Sequence, residues 1–422
     1  MAAMRPAAEM KDSGVQWLGK IPNNWDTIRF KFVHVGANVG MSIDREYWSD
    51  DETDTAFYTA QINPIHVRYN GFPEWKYTSN YDLLLARNAT PYVYLPVLRA
   101  AYTDHIIRVD IKPNYDRRYI RYCLQQSILC DVAEGVSLPT WSVPIWNRQI
   151  VPFISLKEQQ AIADYLDDRC SKIDEIIAEA TASIEEYKEL KQAVIFEAVT
   201  KGLDKSVPMK ESGDSWIGLC PVHYQIGQLS MLSTIVRGGS PRPAGDPRYY
   251  GGDIPFMRIS DITRDEDIYV NYCVHTITEE GFSRTREVPP YTLLLTNSGA
   301  TLGVPKITTF KTTFNDGIAA FLNIDDRLDI MFAYYYLKAR TSFFLESASM
   351  GMGQPNLNTD IIGRTHIVLP PKEEQLRIVE YLKNKCESMN AIISEKQSLI
   401  SDLQEYKKSL IYEVVTGKRR VV

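Results

Sequence analysis

Two stretches of the chain place apolar residues alternately four and three positions apart. In 158–200 the stripe runs Leu166, Cys170, Ile173, Ile177, Ala180, Ile184, Tyr187, Lys191, Val194, Ala198. In 374–416 it runs Leu382, Cys386, Met389, Ile393, Lys396, Ile400, Leu403, Lys407, Leu410, Val414 in the same register. A mean spacing of 3.5 keeps such a stripe on one helix face and predicts a coiled-coil seam. Neither stretch contains proline, and the breakers Pro152, Pro370-Pro371, Gly202 and Gly417 stand at the margins. At ~1.5 Å per residue each helix spans roughly 65 Å. The helix interface is expected at Leu166, Ile173, Ile177 and Ile184 on the first and at Leu382, Met389, Ile393, Ile400 and Leu403 on the second. Lys191, Lys396 and Lys407 interrupt the seam and are expected to help set its register.

The two stretches are related. Aligned without a gap at an offset of 216 they share 16 identities in 43 positions, Glu158/Glu374, Gln159/Gln375, Tyr165/Tyr381 and Cys170/Cys386 among them. A second repeat, at an offset of 199, matches 10–22 to 209–221 in seven of thirteen positions, with Trp17/Trp216 and Pro22/Pro221 in step. The chain is therefore a duplicated unit of about 200 residues, a variable body followed by a shared helix. Domains are expected at 1–156 (first body), 157–201 (first helix), 202–371 (second body) and 372–422 (second helix). Two such helices in one chain are expected to pack antiparallel, with the bodies at opposite ends of a pseudo-twofold molecule. The paired Trp17/Trp216 and Tyr165/Tyr381 read as packing residues.

Within the bodies the period shortens. Residues 81–88 and 291–298 each read as a short apolar strand emptying into a polar loop, and 254–259 and 318–324 are further strands. Residues 117–132 and 329–347 read as equivalent helices, and 238–247 and 251–253 as loops by their Gly and Pro content. The bodies are thus mixed α/β, and the whole chain is α+β.

Composition narrows the function. With 422 residues, 44% hydrophobic and 24% charged, the chain is an ordinary globular protein, neither disordered nor collagen-like. No run approaches the ~20 apolar residues of a spanning helix, and residues 1–10 lack a signal peptide's apolar core. Six scattered cysteines without a CxxC pair are expected to be reduced thiols in a cytoplasm, and six scattered histidines show no metal-ligand spacing. The net charge of 47 − 53 = −6 argues against a simple basic nucleic-acid binder. No P-loop, methyltransferase motif, dinucleotide fingerprint or nucleophile elbow occurs. The absence of a catalytic constellation points to a binding or scaffolding chain.

Three features together resemble the DNA specificity subunit of type I restriction–modification enzymes. They are the duplicated KxSGxxWxGxxP opening, the second body's close in 353–360 before 367–371, and the helix that follows from Lys372. The stretch from Gly238 to Asp261 is similar to the start of that family's target-recognition domains. The resemblance implies two mixed α/β target-recognition domains, each reading one half of a split double-stranded DNA site. It also implies that the antiparallel coiled coil sets their spacing and docks two methyltransferase subunits, with endonuclease/translocase subunits completing the complex. The chain itself would bind no cofactor, while its partners use S-adenosylmethionine, ATP and Mg. The acidic net charge keeps a second possibility open, a coiled-coil protein scaffold that binds no DNA.

Base reading needs polar side chains aimed into the major groove, with phosphate contacts fixing register. The candidates in the second body are Arg242, Thr296, Asn297, Ser298, Gln354, Asn356 and Asn358. Sequence correspondence points to Arg87, Asn88, Thr140 and Trp141 in the first.

Overall fold

The structure, a computed structural model, describes residues 3–88, 91–133, 140–299, 301–349 and 356–421, with the side chains of 129–133 and 347–349 excepted. It divides into two compact units. The first comprises Met1–Ala180 and Ser398–Val422, the second Thr181–Gln397. Each unit therefore holds one body, half of the first long helix and half of the second.

The first body is built from β1 (Asp26–Arg29), β2 (His34–Val39), β3 (Thr55–Tyr58), β4 (Asp82–Ala86), β5 (Ala101–Tyr102), β6 (Ile106–Ile111), α1 (Arg117–Ala133), α2 (Val143–Arg148) and β7 (Ile150–Phe153). The long helix α3 (Leu156–Lys201) follows. Strand β4 lies in an antiparallel sheet in the order Val93–Tyr94, β4, β6, β2, with Leu83 opposite Val109 and Leu85 opposite Ile107. Leu83 and Leu85 face the core formed with Tyr119, Ile120 and Leu124 of α1. Leu84 and Ala86 face a second cluster with Tyr58, Tyr94 and Tyr102. A strand covered on both faces has no polar side, so its sequence is an unbroken apolar run. A smaller sheet in the order β5, β3, Ile65–Val67, Trp48–Ser49 lies beside it.

The second body repeats the plan with β8 (Gln225–Gln228), β9 (Thr234–Arg237), β10 (Tyr250–Met257), β11 (Leu293–Thr296), β12 (Thr312–Phe314), β13 (Ile318–Leu322), α4 (Ile330–Ser349), α5 (Thr359–Arg364) and β14 (His366–Leu369), then the long helix α6 (Lys372–Val415). The main sheet runs β9, β13, β11, Pro305–Thr308, Tyr269–Val270. Leu293 and Leu295 pack toward α4, while Leu294 faces Met257 and Phe314. The opening motif forms the same hairpin in both units, Met10–Asp12 with Lys20–Pro22 and Met209–Glu211 with Leu219–Pro221.

Within each unit the halves of the long helices run antiparallel. In the first, the start of α3 lies near the end of α6. Trp25 bonds Glu158 at 3.0 Å, and a Cβ at Gly417 would come within 2.5 Å of Pro22. Further along, Lys407 reaches Asp174 at 2.6 Å. In the second unit Lys191 Nζ donates to Asn390 Oδ1 at 2.9 Å, and Gly202 lies against Glu374. Two of the seam lysines thus sit at the stripe with their amines bonded to the facing helix.

Leu166, Ile173 and Ile177 share a core with Leu403, Leu410 and Val414. Ile184, Leu382, Met389 and Ile393 are buried, and Ile400 is half-buried. Both long helices end on a left-handed glycine, Gly202 at φ +74° and Gly417 at φ +69°. Trp17 is buried, and Trp216 and Tyr165 pack against the cores of their units. Tyr381 departs from the packing expectation, being 40% exposed on the polar face of α6.

Candidate nucleic-acid interface

In the second body β11 delivers Thr296 to one end of the main sheet. The Asn297 N–H donates to Gly317 O at 2.9 Å, and Asn297 O accepts from the Leu357 N–H at 2.8 Å. Ser298 forms an isolated bridge with Asn356. The strand-end loop, the turn at 315–317 and the segment 356–358 therefore meet. The chain after β9 joins them. Ser240 Oγ donates to the Asp316 carboxylate, and Arg237 Nε donates to Asp316 O at 2.6 Å. The Arg242 guanidinium lies 3.8 Å from Asp316, with its side chain 71% exposed.

The first body holds the same arrangement on different side chains. The Arg87 N–H donates to His105 O at 2.8 Å, and Arg87 O accepts from the Trp141 N–H at 2.6 Å. Ser42 Oγ donates to the Asp104 carboxylate, and this bond holds that carboxyl below the usual carboxylate range. Asn88 Nδ2 donates to His105 Nδ1 at 2.6 Å, and Arg87 Nη1 donates to Asp104 O at 3.3 Å. Two residues before each serine the backbone passes so close to the facing turn that only glycine fits. A Cβ would fall 2.2 Å from Thr103 O at Gly40 and 2.2 Å from Asn315 O at Gly238.

The described sequence candidates thus converge at one place in each body, but not all present side chains. Trp141 is 2% exposed within the core, and Thr296 and Asn297 are fully buried. In this structure these three side chains present no surface to a duplex. Thr296 Oγ1 bonds Thr301 O and the Val304 N–H, closing its own hairpin. Asn358 caps α5, its side chain accepting from the Ile361 N–H at 2.8 Å. Arg87, Asn88, Thr140 and Ser298 are half-buried, and Asn356 is exposed. Gln354 lies outside the described residues.

The Ser42–Asp104 and Ser240–Asp316 pairs escape a search at one offset. The serines are 240 − 42 = 198 apart and the aspartates 316 − 104 = 212 apart. Among the described residues no His/Cys/Asp/Glu group has metal-holding geometry, and no helix is long and apolar enough to cross a membrane.

The model of the type I restriction modification DNA specificity domain matches residues 221–401. Over 325 residues the chain is 22% identical to the MjaVIII specificity subunit of Methanocaldococcus jannaschii, covering 72% of this chain and 71% of that one. The chain is thus similar to type I restriction enzyme specificity subunits over most of its length, and residues 221–401 match their DNA specificity domain. Over 171 residues it is 30% identical to the same organism's MjaIX specificity subunit, covering 39% of this chain and 38% of that protein. A chain solved in a study of complex assembly in the type I R-M system has the same fold, with a TM-score of 0.72 over 94% of this chain and 99% of its own at 14% identity. The family-model match takes in the second body, and the longer sequence alignment and the fold match extend into the first.

Proposed function

We propose that the chain gives a type I restriction–modification complex its DNA sequence specificity, each body reading one half of a bipartite duplex site. One observation carries this reading. Two bodies whose main sheets share four strands in one order place the same loop junction at a sheet end, Arg87 bonded to Trp141 in one and Asn297 to Leu357 in the other. Around that shared frame the outward side chains differ, as two readers of different half-sites require.

The antiparallel helices set the spacing and dock two methyltransferase subunits, and endonuclease/translocase subunits complete the assembly. S-adenosylmethionine, ATP and Mg belong to those partners, and the complex works in the cytoplasm. The test is to express the chain with its methyltransferase subunits and map methylation on genomic DNA. A gapped site made of two unlike halves is expected. A continuous site, or no sequence preference, would refute the reading.

A further inference from the structure

Each long helix opens with a Glu-Gln pair whose side chains bond to the body. Gln375 is fully buried. Its Oε1 accepts from the Asp329 N–H at 2.8 Å. Its Nε2 donates to Arg327 O at 2.7 Å and to Pro370 O at 2.8 Å. Gln159, 1% exposed, accepts from the Asp116 N–H at 2.9 Å and donates to Ile154 O at 2.9 Å.

The aspartates so held are the residues that cap the main helix of each body. Asp329 Oδ1 accepts from the Met331 and Phe332 N–H groups, and Asp116 Oδ1 from those of Arg118 and Tyr119. The neighbouring glutamates hold an aromatic residue just beyond the opening hairpin, Glu158 bonding Trp25 at 3.0 Å and Glu374 bonding Tyr224 at 2.7 Å. One buried amide therefore joins the first turn of the long helix to the capped end of the body's main helix. The device occurs independently in both units.

We infer that Gln159 and Gln375 are positioning residues that fix the angle between each reader and its spacer helix, and so the gap the protein accepts between half-sites. The inference rests on the proposed function. Its physical basis is leverage. From residue 156 to 180, α3 runs roughly 36 Å at ~1.5 Å per residue. A tilt of about 5° at its root moves its far end by about 3 Å, close to the ~3.4 Å rise of one base pair. A buried amide with its partners satisfied resists such a tilt, because each partner left without its bond would be stranded away from water. Apolar contacts alone are non-directional and slide more easily.

The test uses the full chain assembled with its methyltransferase subunits. The probe is a duplex carrying the bipartite site found by methylation mapping, with the gap native, one base pair longer or one shorter. Gln375→Met and Gln159→Met keep the volume and remove the hydrogen bonds. Each is expected to lower the preference for the native gap by at least about fivefold, the worth of one of the two or three hydrogen bonds lost, while discrimination against an altered half-site is unchanged. Gln375→Glu, which keeps the acceptor for the Asp329 N–H and loses the donated bonds, carries the same expectation if the Met variants fail to assemble.

Leu337→Ala, a core cavity in the second unit, is expected to lower the melting temperature without touching gap preference. Glutamine variants with wild-type gap preference, or an equal loss in Leu337→Ala, would overturn the inference alone. A wild-type complex indifferent to gap length would overturn the proposed function with it.

Discussion

Replacing Ser240 by alanine removes one hydroxyl and tests whether the loop junction at the sheet end is the reading surface. Ser240 Oγ donates to the Asp316 carboxylate, and that residue also receives Arg237 on its backbone oxygen and faces Arg242. A hydrogen bond to a charged acceptor contributes about 1.5–3 kcal/mol. Here both partners are half-buried, so water replaces part of the loss and about 1 kcal/mol is the reasonable figure. The missing bond sits at a loop and not in the core, so the global melt is expected to move by no more than that. Binding answers differently, because a loop no longer pinned must be ordered on the duplex. About 1 kcal/mol of ordering corresponds to about fivefold in affinity.

Titration of the assembled complex against duplexes with either half-site scrambled resolves where the loss falls. Ser240→Ala is expected to weaken reading of the second body's half-site only, and Ser42→Ala that of the first. Equal weakening at both halves, or unchanged binding despite folded protein, would refute the assignment of these junctions as reading surfaces.

Arg242→Ala is expected to weaken binding across all sequences and to reduce the salt slope of binding by about one, as the loss of a single phosphate contact does; an unchanged slope in a salt titration refutes the contact. Asn358→Ala removes the cap of α5 and is expected to cost about 1 kcal/mol in a urea melt, with base preference unchanged; altered preference at unchanged stability would show that Asn358 reads bases instead. Burial alone would raise the Asp214 carboxyl, but the adjacent Arg340 guanidinium outweighs it and the net shift is downward. Such a depressed carboxyl stabilises above its unfolded pKa, near 3.8, and that contribution is lost as the pH falls through the folded value. Asp214→Asn strands Arg340, which is 5% exposed, and is expected to destabilise the second unit by about 3 kcal/mol at pH 7. The difference from wild type is expected to shrink at pH 3, and urea melts that stay equally far apart would refute the ion pair's role.

Several features were written directly into the sequence. Heptad spacing at Leu166, Ile173 and Ile177 needs no tertiary information, because any helix with that period carries one apolar stripe. The all-apolar run at 83–86 announced a strand, and the structure covers that strand on both faces. The duplicated Trp-x-Gly hairpin marked the start of each unit because its turn geometry is local. The site was less legible. Asn297 and Trp141 stood at the right place in the chain, yet their side chains point into the core, and burial is a property of what packs above a residue. Ser42 and Asp104 are 62 residues apart, and a bond at that separation leaves no periodicity to read.

The sequence by itself determined that the chain is a tandem of two bodies with long helices, because repeats, heptads and breakers act through local backbone preference and the 3.5-residue period. Only the tertiary structure decided which polar residues face outward, which hold the loops together and how Gln159 and Gln375 anchor each helix to its body. Those outcomes depend on contacts between distant segments, whose energies come from burial and bond geometry that no single stretch of sequence contains.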